Sequence, residues 1–420
     1  MKRSKKVEWS RLDNAAKIFP PNSNDKDTKV FRIACELYED VDPLILQEAL
    51  EETIEKFPLY RSVLRKGLFW YYLESSNQPI VVTEESTPVC ARIYYSNTKN
   101  LLFRVNYYKK RINLEVYHSL SDGTGAQWFM KSLLYQYLLL KNKDKYKDEI
   151  PYLEKEGSVS KKMDDSFMKY FTGKKALKGK IHPKAYHIRG TRREENRMQL
   201  VEGVMSVKEV LDVAHQFNTT LTIYLTSLFI YSIYKEMPVR GKKYPIVLSV
   251  PVNLRNYFKS ESARNFFSTI LISYQCSAEN VTLEDVIQSV SKSFINELTE
   301  DKLKDHMDRL LSLENNLFAR LVPRGIKDIA LRIANHSVDN GITAALSNIG
   351  KVTMPKGMKN DIRLFDVFTS ARRPQICMCS YEDNLVISFT SPYKETDIQR
   401  EFFQLLAEKG IKIEIATNIE

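Results

Sequence analysis

The chain has 420 residues, 43% of them hydrophobic, and a formal net charge of +11 at pH 7. That length can bury large cores and exceeds an ordinary single domain, so two lobes are expected. Five cysteines (Cys35, Cys90, Cys276, Cys377, Cys379), odd in number and scattered, exclude a disulfide-stapled scaffold and point to reduced thiols in a cytoplasmic protein.

In chain order, residues 1–6 are basic but lack the apolar stretch of a signal peptide. Residues 30–38 read as a strand, and residues 43–57 carry Leu44, Leu46, Ala49, Leu50 and Ile54 at helical spacing. Strands follow at 68–73, 91–95, 101–107 and 111–117, and a helix at about 124–140 closes the first half. The aromatic run Phe69 to Tyr72 reads as strand packing. Residues 141–197 hold 17 Lys or Arg against 9 Asp or Glu and read as a solvated crossover between lobes. The expected organisation is a first lobe at 1–145, a basic crossover at 146–198 and a second lobe at 199–420.

The second half opens with a strand near 201–206 and an amphipathic helix at 207–217. The uncharged run 216–234 is almost long enough to span a bilayer, but four threonines, two serines and an asparagine make it a buried helix instead. Strands are expected at 245–251 and 269–274, then a long, possibly interrupted helix at 283–313. Strands at 342–349, 362–370, 375–380 and 385–390 and a helix at 396–406 complete the chain. Cys377 and Cys379 share a strand face without a second ligand pair, so they belong to a core and not to a zinc site. No glycine-rich phosphate loop is present, and acidic residues interrupt the basic segment, which argues against nucleic acid as a partner.

The most informative stretch is Tyr117-His118-Ser119-Leu120-Ser121-Asp122-Gly123. An alternating strand pattern precedes it and a helical one follows, so His118 sits at a strand end beside a helix start, and Asp122 to Thr124 supply the capping chemistry. An imidazole delivered there can take the proton of an alcohol or amine attacking an acyl carbonyl. Asp122 need not touch substrate. A carboxylate held by an arginine would fix the turn that presents the histidine. His182, His187, His215, His306 and His336 have no comparable context.

These residues resemble the CoA-dependent acyltransferase superfamily, which includes chloramphenicol acetyltransferase, BAHD acyltransferases, condensation domains and bacterial alcohol acetyltransferases. Its shared motif is His-His-x-x-x-Asp-Gly or His-x-x-x-Asp; here Tyr117 stands at the first histidine and His118 at the catalytic one. Pro251 to Arg255 with Asn265-Phe266-Phe267 is similar to the family's second-lobe arginine region. Ser347-Asn348-Ile349-Gly350 and the opening Trp9 to Ala16 look like the alcohol acetyltransferase branch.

The resemblance implies an α+β fold: two chloramphenicol-acetyltransferase-like α/β sandwich lobes forming a pseudo-dimer with an inter-lobe channel. It implies an acyltransferase with His118 as general base, Asp122 paired with Arg255, Gly123 in the turn, and Ser347 or Asn348 facing the oxyanion. Tyr117 would face the channel beside His118. Lys174, Lys175, Lys178 and Lys180 would meet the phosphates of acyl-CoA, a co-substrate and not a tightly bound cofactor. The partners expected are acyl-CoA or an acyl carrier protein and a small alcohol or amine, with the protein a monomer lacking a membrane span. A condensation-like enzyme with a carrier-bound donor, or an inactive binding module, is the alternative.

Overall fold

The computed structural model describes residues 9–146, 151, 159–173, 183–276, 280–315 and 320–418. The first half runs β1 (Trp9–Arg11), β2 (Val30–Leu37), α1 (Pro43–Lys56), β3 (Ser62–Lys66), β4 (Tyr71–Ser75), β5 (Thr83–Glu84), β6 (Phe103–Tyr108), β7 (Arg111–Tyr117) and α2 (Gly123–Lys141). The second runs β8 (Gln199–Ser206), α3 (Val207–Gln216), α4 (Leu221–Glu236), β9 (Ile246–Asn253), β10 (Phe267–Tyr274), α5 (Leu283–Glu297), α6 (Glu300–Asn315) and α7 (Arg324–Asn340). It ends with β11 (Ala344–Val352), β12 (Ile362–Thr369), β13 (Gln375–Tyr381), β14 (Asn384–Ser391), α8 (Asp397–Ala407) and β15 (Glu414–Thr417).

Side-chain caps start the main helices. The Asp42 carboxylate accepts from the amides of Leu44 and Ile45, and Pro43 fits the first turn of α1, where no amide is missed. Thr220 caps α4, the uncharged run, which is buried almost all round and forms the core helix of the second lobe. No helix among the described residues is long and apolar enough to cross a membrane. The long helical stretch divides into α5, opened by the reciprocal Thr282 and Asp285 capping box, and α6.

Two large sheets carry the lobes, ordered β12-β2-β7-β6-β5 and β10-β9-β11-β13-β14-β8-β15, with a small third sheet β1-β4-β3. Each large sheet has its own apolar core. The lobes are two α/β sandwiches related as a pseudo-dimer, but they are not consecutive pieces of chain. β12 lies antiparallel on β2, with Asp366 opposite Ala34, and so completes the first sheet from the second half. β11 runs parallel to both β9 and β13 and breaks register between Asn348 and Gly350.

Two local expectations are corrected, and one strand face is found buried. Residues 68–73 straddle a turn: Gly67 N donates to the Trp70 carbonyl at 2.8 Å, and the strands lie on either side as β3 and β4. Residues 91–95 run outside any ladder, and Tyr94 packs its ring on Tyr117. The polar side of β7 is buried and not solvated, because Glu115 is met by Arg104 and by Arg32, whose Nε donates at 2.9 Å.

Candidate active site

β7 ends at Tyr117, and the His118 amide donates to the Lys29 carbonyl at 2.9 Å, so the imidazole leaves the sheet at a fixed point. Phe19 stacks on the ring at 4.8 Å between centroids and Phe31 tilts against it at 4.6 Å, with Phe267 from the second lobe at 6.0 Å. Burial in this apolar box, reinforced by the Lys29 charge and opposed by Asp122, pushes the imidazole down to about 4. It is neutral at pH 7 and can act as a base. Nδ1 is buried, while the ring forms part of the wall of two cavities, of about 560 Å³ and about 250 Å³.

Asp122 caps α2: its Oδ1 accepts from Gly125 N at 2.9 Å. Its Oδ2 takes two donors from the second lobe, Arg255 Nη1 and the Phe266 amide, each at 2.8 Å. Arg255 follows β9, and its remaining donors are spent on the carbonyls of Ser262, Arg264 and Phe266 and on Asn253 Oδ1. Both charged side chains are only about one-twentieth exposed, at 5% and 6%. Neither could be buried alone without a large desolvation cost. The pair therefore clamps the turn carrying His118 to the other lobe.

Gly123 and Gly125 are small for different reasons. A Cβ on Gly123 would stand 2.7 Å from Ile349 Cδ1 on β11, and one on Gly125 would overlap the Ala263 carbonyl. The second contact is where Ser121 Oγ also donates to Ala263 O, at 2.6 Å.

Ser347 and Asn348 both line the larger cavity. Asn348 is already engaged: Nδ2 donates to Thr222 Oγ1 at 2.9 Å and Oδ1 accepts from Gly350 N at 2.8 Å, where Gly350 has φ +86°. It builds the bulge in β11 and ties it to α4. Tyr117 is a correction. Its ring is fully buried, stacks on Tyr94 at 5.1 Å, and belongs to neither cavity wall, because successive strand residues point to opposite sides. Lys174, Lys175, Lys178 and Lys180 lie outside the described residues. The described part of the basic crossover does pack: Lys162 holds its ammonium 3.7 Å above the Phe57 ring, and its carbonyl accepts from Ala263 N at 2.9 Å.

Two site residues carry no motif of their own. Asn265, 1% exposed, lies near His118 and donates through Nδ2 to Asp13 Oδ2 at 3.2 Å. Asp13, also 1% exposed, accepts from Ala16 N at 2.7 Å. Burial raises its pKa to about 6 against the pull of Arg264. Both lay in stretches the resemblance had marked, without a role attached.

No family model and no curated protein matches the chain. Solved structures do. The trichothecene 15-O-acetyltransferase TRI3 from Fusarium sporotrichioides superposes with a TM-score of 0.62 at 11% identity, covering 97% of this chain and 96% of that one. The starter condensation domain of rhizomide synthetase RzmA, with C8-CoA and Leu-SNAC bound, gives 0.62 at 12% over 95% and 93%. This chain has the fold shared by these acetyltransferase and condensation-domain structures. Polyketide synthase associated protein 5 from Mycobacterium tuberculosis shares that fold, with a TM-score of 0.60 at 12% identity over 94% and 96% of the two chains. Both cavities adjoin His118, and residues of both lobes line each of them.

Proposed function

We propose that this protein transfers an acyl group, acetyl or longer, from a CoA thioester to an alcohol or amine, with His118 as general base. The observation that carries the reading is a neutral histidine on the walls of two adjoining cavities, one bordered by Asp122, Asn253 and Asn348 and the other by Lys29, Asp339 and Arg372. A donor in one cavity and an acceptor in the other would both lie against the same imidazole.

The larger cavity has an apolar wall from Phe31, Val250, Val252, Phe294 and Leu298 that suits an acyl chain, while Lys29, Arg372 and Arg373 border the smaller one. The acceptor's proton passes to His118, its oxygen or nitrogen bonds to the thioester carbonyl carbon, and the carbon–sulfur bond breaks. The same imidazolium then returns the proton to the departing thiolate. Ser347, on the wall of the larger cavity, is the donor assigned to the developing oxyanion.

The test is thiol release from acetyl-CoA and longer acyl-CoAs with a mixed pool of alcohols and amines, with wild type run beside His118→Ala. Release that requires both acceptor and His118 is expected. Release unchanged in His118→Ala would remove the mechanism. Turnover seen only with carrier-bound thioesters would replace CoA by a carrier protein, in keeping with the condensation-domain likeness.

A further inference from the structure

We propose that the outer face of α7 is a docking surface for an anionic lipid bilayer, which it meets with a row of isoleucines edged by lysine and arginine. The docking is independent of the acyl-transfer reading; delivery of a membrane-borne acceptor to His118 rests on it.

A helix on the surface of a globular protein ordinarily turns its apolar stripe toward the core. In α7 the arrangement is reversed. Ile326, Ile329 and Ile333 recur at i, i+3 and i+7 on one side and are 59%, 57% and 64% exposed, with Ala330 and Ser337 exposed on the same side. The opposite side carries Arg324, Asp328 and Asp339, and these polar groups are the ones that face the fold. Asp328 Oδ2 accepts from the Tyr71 hydroxyl at 2.9 Å and pairs with Arg324 at 3.2 Å, while Asp339 Oδ2 pairs with Arg373 at 3.1 Å. No residue of the helix is buried. Three isoleucines aligned on one face with most of their surface in water mark an interaction site.

The surroundings select a bilayer as the occupant. Leu68, in the turn between β3 and β4, and Leu321, just before the helix, are more exposed still, and the turn is fastened to the start of α7 by the Arg324 amide, which donates to the Leu68 carbonyl at 2.9 Å. An apolar loop thus lies at one end of the isoleucine row, and together they suit insertion at the level of lipid headgroups. Helical spacing sets Lys327 and Arg332 on the two flanks of the row. Lys327 holds its ammonium 3.4 Å from the centre of the Trp70 ring, which Lys17 also approaches, at 5.3 Å. Because the carboxylates of the helix are turned inward onto arginines, the outer rim is cationic, the complement of phosphate headgroups. A chain charge of +11 likewise favours an anionic surface over a second copy of the same chain. The helix ends at the smaller cavity, where Asp339 in its last turn and Ile342 just beyond it share the wall with His118. Contact along α7 would bring that cavity close to the lipid surface, where an amphiphilic alcohol or amine is concentrated.

Flotation of the full-length protein with vesicles, either of phosphatidylcholine alone or of equal parts phosphatidylcholine and phosphatidylglycerol, tests the surface at physiological salt. Binding is expected on the anionic vesicles and at least about tenfold weaker on the neutral ones. The double variant Ile329→Asp with Ile333→Asp should weaken binding to the anionic vesicles by about 10²-fold or more. Both side chains are exposed, so the variant should keep its Tm and its thiol release from an acyl-CoA with a water-soluble alcohol. Wild type that does not float with the anionic vesicles overturns the proposal, and so does binding that the double variant retains. A concentration-dependent dimer that the same variant abolishes, in a protein that binds neither vesicle, would give the face to a second copy and overturn it as well. Vesicle binding lost in the double variant, in a protein without acyl-CoA turnover, keeps the docking surface and removes the acyl-transfer reading.

Discussion

Replacing Arg255 by methionine separates the charge of this residue from its bulk. The methionine stem can keep the apolar contact above Trp128, whose ring lies 5.5 Å from the guanidinium carbon, while every donor is lost. Asp122 would remain 5% exposed with only the Gly125 and Phe266 amides for partners, and the Ser262 and Arg264 carbonyls would lose their donor. Breaking a buried ion pair from one side costs about 3–5 kcal/mol. The two backbone donors that stay on Asp122 favour the low end, and the stranded carbonyls add about 1 kcal/mol, for a total of about 4 kcal/mol. At roughly 2.1 cal/mol/K of unfolding entropy per residue, a chain of 420 residues loses about 0.9 kcal/mol per degree, so Tm should fall by about 4–5 °C. A thermal melt measures the shift, and a cycle with Asp122→Asn isolates the pair. The coupling energy should reach about 2 kcal/mol or more, since among the described residues each partner is the other's only ion-pair partner. A drop of less than about 1 °C, or additive single and double variants, would refute the clamp.

The two glycines of the motif should respond unequally to alanine. Gly125→Ala drives a methyl into the Ala263 backbone carbonyl and should cost more than about 2 kcal/mol; Gly123→Ala meets only the movable end of Ile349, 2.7 Å away, and should cost less than about 1 kcal/mol in the same denaturation assay. Equal losses would mean that the lobes do not pack at Gly125 as described. For pH, His118 is held near 4 when folded and titrates near 6.5 when unfolded. Between those values the unfolded chain binds more protons at this residue, so His118 makes stability rise with pH by up to about 3 kcal/mol. Asp13 acts in the opposite sense: raised from 3.8 to about 6, it holds its proton more tightly when folded and makes stability fall across that window. Because the windows overlap, the answer lies in a residue-specific proton titration, where the His118 ring signal should have its midpoint near 4; a midpoint at 6.5 would contradict the apolar box.

The local pattern from Tyr117 to Gly123 was sufficient to find a turn between a strand and a helix, because the periods on either side differ and Asp122 is a capping residue. Its partner Arg255 stands 133 residues away, and no periodicity links the two; the resemblance alone brought them together. Asp13 and Asn265 are separated by 252 residues, and their meeting depends on how β10 and the opening segment fold against the first lobe. The phenylalanines around His118 read simply as apolar positions, since pattern records which face is buried and not which rings converge. Glu115 shows the converse limit. Alternation marks its side of β7 only as the polar one, and arginines on the adjacent strands β2 and β6 satisfy it inside the protein. One pairing crosses the two halves in a way no local pattern records: β12 belongs by position to the second half and by pairing to the first sheet.

That topology bears on how substrates reach His118. Of the three donors on Asp122, two come from the second lobe, and Ser121 and Gly125 press on Ala263 beside them. Away from the turn, β12 is woven into the first sheet, and Arg111 on β7 reaches Glu202 on β8 at 3.0 Å and Asp366 on β12 at 2.9 Å. Parting the lobes would strand the buried Asp122 charge and strip a strand from a sheet, each a cost of several kcal/mol. Local motion at the cavity walls costs far less, because Asn348 is joined to Thr222 by a single hydrogen bond on one, and on the other Lys29 and Arg372 are held by partly exposed ion pairs to Asp27 and Asp339. On the proposed reading, exchange of donor and acceptor belongs to the cavity mouths, while the clamp keeps His118 and the turn that carries it in one geometry.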